Sequence, residues 1–213
     1  VVFAGYGGIE FENPHYRHYY KARLDGRKPV RHLTPGNGNH KIEFSPDGKM
    51  IVDRWSRMDL PGQVAVRNAE NGKTVFELES KDISAALEKG FRLPELMKVK
   101  AADGVTDLYG VVYLPSDLNP ERKYPIISNV YPGPQDDQVP LDFMYDDNGN
   151  QVLAELGFIV LNFSHRGSCP TRGRDYYTYG YGNLRDYAID DDIAIIRQVA
   201  EKYPCADLDR VGI

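Results

Sequence analysis

The sequence has little of what would place it in several common protein classes. Its 213 residues include two cysteines, four methionines and one tryptophan, and no apolar run is long enough to cross a membrane. Cys169 and Cys205 have neither metal-site nor disulfide-framework spacing, so the redox compartment stays open. The net charge of −5 is not clustered, which argues against nucleic acid as a partner. What remains is the composition of an ordinary globular protein, 41% of it apolar.

The sequence also lacks an initiator methionine and the basic and apolar regions of a signal peptide. It opens on Val1-Val-Phe3, which is already strand-like, and closes on Asp209-Arg-Val-Gly-Ile213, where a further strand is beginning. We therefore expect the chain to be a fragment of a longer protein. A fragment does not report its own targeting signal, so these residues leave the compartment undetermined.

Residues 1 to about 80 are predicted to be all β. Segments 1–4 and 16–24 are strand candidates, and Ser45-Pro-Asp-Gly48 supplies strong turn chemistry for a hairpin over 40–52. Segments 63–67 and 74–78 predict a second hairpin. Short antiparallel strands at this spacing are typical of propeller blades or of a sandwich. Four of the five histidines (His15, His18, His32 and His40) fall here without metal-like spacing, and we expect them to be solvated or in turns.

The pattern changes near residue 81, where a short helix ending at Gly90 marks a predicted domain boundary. Beyond it, strands are predicted at 97–101, 108–114, 126–130, 158–163 and 210–213, and helices at 151–156 and 184–202. This order indicates a mixed α/β sheet with right-handed crossovers. The longer helix is expected to bury a face formed by Ile189, Ile193, Ile196, Ala200 and Tyr203.

Three carboxylates, Asp190, Asp191 and Asp192, lie in the first half of that helix. A metal site is one reading of such a triplet. However, consecutive helical residues point about 100° apart, so three in a row do not converge on one ion. We expect instead a solvated face that the helix dipole favours.

The segment Lys123-Tyr-Pro-Ile-Ile-Ser-Asn-Val-Tyr-Pro-Gly-Pro-Gln135 carries the strongest functional signal. It predicts a buried strand that ends abruptly at a proline-glycine turn, with Tyr131 at its carboxyl end. Chemistry in open α/β sheets lies beyond that end. The Tyr131 phenol either donates a hydrogen bond into a cleft or caps the core with its hydroxyl in water, and the spacing alone favours the second alternative.

Several segments in this order resemble the prolyl oligopeptidase family of serine peptidases, and the bacterial dipeptidyl peptidase IV branch most of all. They are the Phe-Ser-Pro-Asp-Gly-Lys turn at 44–49, Lys-Ala-Ala-Asp-Gly-Val-Thr-Asp-Leu-Tyr-Gly-Val-Val-Tyr-Leu-Pro at 100–115, the 123–135 segment, Leu-Ala-Glu-Leu-Gly-Phe-Ile-Val at 153–160, Arg-Gly-Ser at 166–168 and Asp-Leu-Asp-Arg-Val-Gly-Ile at 207–213. The resemblance covers essentially the whole chain.

The resemblance implies the C-terminal end of a β-propeller over 1–80, followed over 81–213 by a linker and the first half of an α/β-hydrolase domain. In the sheet of such a domain the third strand (126–130) lies between the fourth (158–163) and the fifth (210–213), so Val211 and Ile159 are expected on either side of Ile127. It implies release of dipeptides from peptide amino termini by a Ser-His-Asp mechanism. Tyr131 would give its hydroxyl to the oxyanion hole, because acyl transfer develops negative charge on oxygen that a fixed donor stabilises. No cofactor or metal is implied. A peptide is the implied substrate, a homodimer is left open, and a periplasmic or secreted location is favoured.

The triad itself is expected to lie beyond the chain, because the Gly-x-Ser-x-Gly elbow follows the fifth strand of this fold. His165 is not expected to be the triad base, since the fold's chain order is serine, acid, histidine. Ser164-His165 departs from the Asp-Gly pair that often precedes Arg-Gly in the branch, and Arg166 is expected to be a structural loop anchor. Two alternatives remain: an acylaminoacyl peptidase or esterase on the same fold, and a non-catalytic propeller–hydrolase binding module.

Overall fold

The chain divides into two compact units. The structure, a computed structural model, describes residues 1–131, 133 and 136–213. The first unit comprises Val1–Ile83 together with Leu141–Phe143, and the second comprises Ser84–Pro140 together with Met144–Ile213. Residues 141–143 belong to the first unit because Asp142 accepts hydrogen bonds from Asn39 Nδ2 at 3.1 Å and from Lys41 Nζ at 2.7 Å.

The first unit is built from antiparallel strands in two sheets. A three-stranded sheet has the order β1-β2-β3, and a four-stranded sheet has the order β4-β5-β6-β7. In chain order the strands are β1 (Val2–Tyr6), β2 (Arg17–Lys21), β3 (Arg31–His32), β4 (Asn39–Phe44), β5 (Met50–Arg57), β6 (Leu60–Asn68) and β7 (Thr74–Leu78).

Both predicted hairpins are confirmed, β4 with β5 and β6 with β7. In the first, the Ser45 hydroxyl donates to Asp47 at 2.7 Å, and the Gly48 amide donates to the Ser45 carbonyl at 2.9 Å. Gly48 has a φ of +68°, a conformation in which glycine avoids the steric cost that a side chain would bring. The local turn chemistry therefore sets the register of this pair.

The prediction that the four early histidines are solvated or in turns is wrong for His18 and His40, which are buried on strands. His15 is buried as well, but it lies in a turn. His40 lies on β4, with Nδ1 2.7 Å from an oxygen of Asp53 on β5 and Nε2 2.8 Å from the Gly36 carbonyl. Asp53 is fully buried and accepts a second bond, at 2.7 Å, from Arg67 Nε on β6. Burial of these polar side chains is possible because each one finds a partner on a neighbouring strand.

The second unit contains a five-stranded mixed sheet with the order β12-β10-β11-β9-β8. Its strands are β8 (Glu95–Lys100), β9 (Asp107–Tyr113), β10 (Tyr124–Ser128), β11 (Ile159–Phe163) and β12 (Ala206–Gly212). Its helices are α1 (Ser84–Glu88), α2 (Asn150–Glu155), α3 (Arg174–Tyr177) and α4 (Ile189–Lys202), with a 3₁₀ turn at Pro170–Arg172. β10 runs parallel to β11 and β12, whereas β9 is antiparallel to β8 and β11.

The predicted strand neighbours are confirmed, but their register is one residue off. Val211 and Ile159 pair with Ile126, not with Ile127. On the β12 side the register shifts between Pro125 and Ile126, at a proline that donates no ladder hydrogen bond. β12 forms an edge of the sheet and pairs with β10 alone within the described part of the chain.

Helix α4 begins at Ile189, five residues later than predicted, and its predicted buried face is wrong in part. Ile195, Ile196 and Val199 pack into the core on the sheet, whereas Ile189 and Ile193 are 52% and 41% exposed. The exposed pair borders an apolar groove of about 580 Å³, which is also lined by Val130, Leu208, Val211 and Ile213. The helix carries two apolar stripes, and packing on the sheet selects the one that the sequence spacing did not favour.

No helix within the described residues combines the length and the apolar character needed to span a bilayer.

Candidate active site at the carboxyl end of the sheet

Tyr131 lies beyond the carboxyl end of a buried strand. β10 alternates between buried residues and half-buried ones, with Ile126 fully buried and Ser128 nearly so. Because β10 runs parallel to β11 and β12, the carboxyl ends of these three strands meet at one edge of the sheet. Three residues after β10 ends, Tyr131 stands at that edge with half of its surface exposed. Its predicted place in the fold is therefore confirmed.

The strand itself begins and ends two residues earlier than predicted. The Tyr124 amide donates to the Cys205 carbonyl at 2.8 Å, which brings this residue into the sheet. Of the predicted proline-glycine turn, Pro132 and Pro134 lie outside the described residues. A Cβ atom at Gly133 would overlap the Tyr131 ring, so a larger residue there would displace that ring.

The main chain of Tyr131 is held by a hydrogen bond, whereas its hydroxyl has no partner within 1–131, 133 and 136–213. The Tyr131 carbonyl accepts a hydrogen bond from His165 Nε2 at 3.1 Å. Among the residues that the structure describes, none hydrogen-bonds the Tyr131 hydroxyl. A half-exposed phenol with a free hydroxyl at this edge can donate to a ligand that enters there.

The segment that leads from β10 to Tyr131 is tied to α2. Asn129 donates its backbone N–H to the Leu161 carbonyl at 2.7 Å, and its side-chain amide to Asn150 Oδ1 at 2.7 Å. Asn150 in turn donates to Asp147 at 2.9 Å. The position of this segment is therefore coupled to a buried carboxylate.

Asp147 is the centre of a buried polar network that sequence reasoning missed. One of its oxygens accepts bonds from the Tyr113 hydroxyl at 3.2 Å and from Asn162 Nδ2 at 3.0 Å, in addition to the Asn150 bond. Burial, together with the Asp147 charge, raises the pKa of Tyr113 well above its usual value, so this phenol stays protonated and donates. The available signal was Asn162, a polar residue inside the otherwise apolar strand β11.

The prediction that the acidic triplet forms a solvated face is wrong for two of its three members. Asp190 is exposed, but Asp191 is fully buried and Asp192 nearly so. Asp191 accepts from Arg166 Nη2 at 2.6 Å, from the Arg166 amide at 3.0 Å and from the Ala102 amide at 3.0 Å. The two buried carboxylates bind different partners, Asp191 the Arg166 side chain and Asp192 the Ser128 hydroxyl, because consecutive helical residues point in different directions.

Arg166 anchors its loop, as predicted. In addition to the Asp191 bonds, its guanidinium donates to Asp103 at 2.9 Å and lies over the Tyr179 ring at 4.1 Å. Three hydrogen bonds from the guanidinium nitrogens to Asp191 fix the loop that follows β11 against the start of α4. The loop that carries His165 is therefore rigidly placed.

Asp192 ties the end of β10 to the same helix. Ser128, the last residue of β10, donates its hydroxyl to Asp192 at 2.6 Å. Burial raises the pKa of the Asp192 carboxyl, although the Ser128 hydrogen bond opposes that shift. Ser128, Asn129 and the Tyr131 carbonyl thus each have an anchor in the second unit, at Asp192, Asn150 and His165 respectively.

Two family models match separate parts of the chain. Residues 144–213 match the model described as "Prolyl oligopeptidase family". Residues 1–62 match the model described as "Dipeptidyl peptidase IV (DPP IV) N-terminal region". The two matches occur in one chain, the dipeptidyl peptidase region first and the peptidase region second.

Curated relatives align along nearly the whole chain. "Dipeptidyl peptidase 8" of Homo sapiens is 28% identical over 212 residues, which are 95% of this chain and 23% of that protein. "Probable dipeptidyl-aminopeptidase B" of Aspergillus oryzae is 30% identical over 207 residues, 95% of this chain and 22% of that protein. The chain thus spans less than a quarter of the length of these relatives.

Two solved structures that resemble this chain are also named as dipeptidyl peptidases or aminopeptidases. The chain superimposes over its full length on the dipeptidyl peptidase 4 of Porphyromonas gingivalis, with a TM-score of 0.78 and 25% identity, and covers 29% of that chain. A putative dipeptidyl aminopeptidase IV from Bacteroides ovatus gives a TM-score of 0.79 at 24% identity, again with 29% of that chain covered. This likeness confirms the predicted fold class, the C-terminal end of a β-propeller followed by the first half of an α/β-hydrolase domain.

Proposed function

We propose that this chain belongs to the prolyl oligopeptidase family and is part of a serine peptidase that removes dipeptides from the amino termini of peptides. The observation that carries the proposal is the succession of the two family matches in one chain, at 1–62 and at 144–213. The names of the two relatives described above, a dipeptidyl peptidase and a probable dipeptidyl-aminopeptidase, point to the same substrate class.

Tyr131 is the catalytic group that we assign within these residues. Attack of a serine on a peptide carbonyl converts the carbonyl oxygen into an oxyanion, and a donor fixed at that place lowers the barrier. Tyr131 is half exposed and its hydroxyl is unbonded among the described residues, whereas its main chain is anchored. A donor that is held in place before the reaction needs no reorganisation as the charge develops.

We assign the serine, the acid and the histidine of the triad to sequence outside these 213 residues. His165 is unsuited to be the base, because its ring is buried and both of its nitrogens face backbone carbonyl oxygens. We further propose that residues 1–80 form the last part of the propeller and that residues 81–213 form the linker and the first half of the peptidase domain. The propeller would limit entry to short or unfolded peptides.

The test compares three peptides with the full-length protein that carries this sequence. A peptide with a free amino terminus and proline at its second position should lose its first two residues as a dipeptide, detected by mass spectrometry. An amino-terminally acetylated copy should stay intact, because the substrate's amino group is expected to be recognised. A copy with the two residues inverted is the sequence control.

The outcome separates the candidate functions. Release of an acetylated residue instead of a dipeptide would identify an acylaminoacyl peptidase. Cleavage of no peptide, together with no labelling by a fluorophosphonate, would identify a binding module and contradict the proposal. The 213-residue chain by itself should show no turnover of a fluorogenic Xaa-Pro substrate above a buffer blank, because it is assigned no nucleophile.

A further inference from the structure

We propose that His165 is a positioning residue for Tyr131: its buried imidazole fixes the Tyr131 main chain and thereby the point from which the hydroxyl donates. The inference rests on the proposed function of Tyr131 and adds a second residue to that site. It starts from the 3.1 Å contact between His165 Nε2 and the Tyr131 carbonyl oxygen.

The sheet brings the two residues together although 34 positions separate them in the sequence. β10 and β11 are adjacent and parallel, so the segments that follow them leave the sheet at the same edge. Tyr131 comes three residues after β10, and His165 comes two residues after β11. The contact is therefore a consequence of the strand order, and it spans the edge where the ligand would enter.

The backbone of His165 is held from its own side. Its carbonyl accepts the Ser168 amide at 3.2 Å and the Ser168 hydroxyl at 2.8 Å. The next residue, Arg166, is bonded through its amide and its guanidinium to the buried Asp191 on α4. His165 is thus mounted on a loop that is fixed to the helix, and its side chain extends from this loop to Tyr131.

The ring itself has little freedom. His165 is 2% exposed, and its ring meets the Tyr187 ring edge-on, with centroids 5.4 Å apart. Tyr187 approaches this loop so closely that a Cβ atom on Gly167 would overlap it. The second nitrogen, Nδ1, lies 3.0 Å from the Arg166 carbonyl. Because a carbonyl oxygen only accepts, the bond to Tyr131 requires a proton on Nε2.

Fixing the Tyr131 carbonyl matters because the hydroxyl sits at the far end of a rigid side chain. A small rotation of the main chain moves the hydroxyl by more than it moves the carbonyl. An oxyanion donor is effective only within hydrogen-bond distance of the developing charge, and a displacement of about 1 Å can cost on the order of a hundredfold in rate. Loss of the His165 bond should therefore lower kcat through Tyr131.

The experiment uses the full-length peptidase and a matched pair of neutral amide substitutions. In His165→Gln, the side-chain N–H can reach the place of Nε2 and restore the bond. In His165→Asn, the amide is one methylene shorter and falls at the place of Nδ1. Each is measured alone and combined with Tyr131→Phe, for kcat and KM on an Xaa-Pro substrate, and each is checked by its melting temperature.

We expect His165→Asn to lower kcat about tenfold with KM unchanged, and His165→Gln to stay within about threefold of the wild type. In the Tyr131→Phe background, His165→Asn should cost less than about twofold, because the group through which it acts is gone. If His165→Asn does not fold, His165→Leu replaces it, since leucine fills the space without a donor.

Three results would overturn the inference. They are equal kcat values for the Asn and Gln variants, an undiminished effect of His165→Asn in the Tyr131→Phe background, and an effect on KM alone. Failure of the proposed function looks different: the wild type would release no dipeptide, or Tyr131→Phe by itself would leave kcat unchanged.

Discussion

The two units bury their charged side chains in different places, and these side chains have different roles. In the first unit, Asp53 sits inside the four-stranded sheet, and its partners His40 and Arg67 lie on the strands to either side. In the second unit, the buried carboxylates Asp147 and Asp191 lie outside the strands, one before α2 and one on α4. Asp191 accepts from Arg166, in the segment that follows β11. Asp147 is linked through Asn150 to Asn129, in the segment that follows β10.

The difference shows what each set of buried charges does. Bonds between neighbouring strands of one sheet hold that sheet together, and their loss should appear as lost stability. Bonds that reach the segments beyond the strands decide where those segments lie, and in the second unit the segments carry Tyr131 and His165. Their loss should therefore appear in catalysis as well. The predictions below test this division.

Asp53→Asn should give the largest loss of stability. The change leaves the buried Arg67 guanidinium and His40 without their carboxylate, which typically costs about 3–5 kcal/mol. We expect local hydrogen exchange in peptides from β4 to β6 of the full-length protein to speed up accordingly, while kcat per folded molecule stays unchanged. Glu43→Gln is the matched control in the same sheet, because Glu43 is exposed and pairs with Arg54 at the surface. A fall in kcat with Asp53→Asn would contradict the claim that the buried charges of the first unit serve stability alone.

Asp191→Asn should cost less stability but should also affect catalysis. Arg166 keeps Asp103 as a partner, and an asparagine oxygen still accepts one hydrogen bond, so we expect a loss of about 2 kcal/mol. The loop that carries His165 would loosen, and kcat should fall severalfold. Asp190→Asn, one residue away and exposed, should change stability by less than about 0.5 kcal/mol. Equal effects of the two substitutions on kcat would contradict the assigned role of Asp191.

The smallest effect on stability is expected from loss of the Asp103 carboxylate, and this effect depends on pH. Hydrogen bonds from the Thr106 hydroxyl and from the Thr106 and Val105 amides lower the pKa of Asp103 to about 2. Because this pKa is below the unfolded value, the stabilisation is complete above about pH 5 and is lost as the pH falls towards 2. A third of the side chain is exposed to screening solvent, so we expect about 1 kcal/mol.

Melting temperatures of the full-length wild type and of Asp103→Asn test this prediction. The wild type should melt higher at pH 7, and the gap should narrow by pH 3.5. A gap that is the same at both pH values would show that the carboxylate charge of Asp103 contributes nothing to folding.

Local signals in the sequence predicted the elements well. The Ser45-Pro-Asp-Gly48 turn specified its hairpin. The apolar runs located the first four strands of the second unit to within two residues at their ends, whereas the last strand begins four residues earlier than predicted. The place of Tyr131 followed from these strands, since a residue just past a parallel strand must lie at the carboxyl edge. Its predicted catalytic role came from the family resemblance and is still a prediction.

The buried charges were not predictable in the same way. Aspartate is usually exposed and histidine is intermediate in burial. The partners that allow their burial are distant in the sequence: Asp53 is 13 residues from His40, and Asp191 is 25 residues from Arg166. The prediction of the buried face of α4 was wrong in part for a related reason. The helix has two apolar stripes, and only the contacts with the sheet decide which of them is buried. The contact between His165 and Tyr131 likewise depends on the strand order.

The most direct test of the account is the kcat of Tyr131→Phe in the full-length protein. Removal of only the hydroxyl should lower kcat by about 10²–10³ with little change in KM or in melting temperature, as expected for one lost oxyanion donor. Tyr181→Phe, which removes a hydroxyl from another exposed tyrosine of the second unit, is the matched control and should behave as the wild type does. A Tyr131→Phe variant with kcat within about threefold of the wild type would mean that Tyr131 merely caps the sheet.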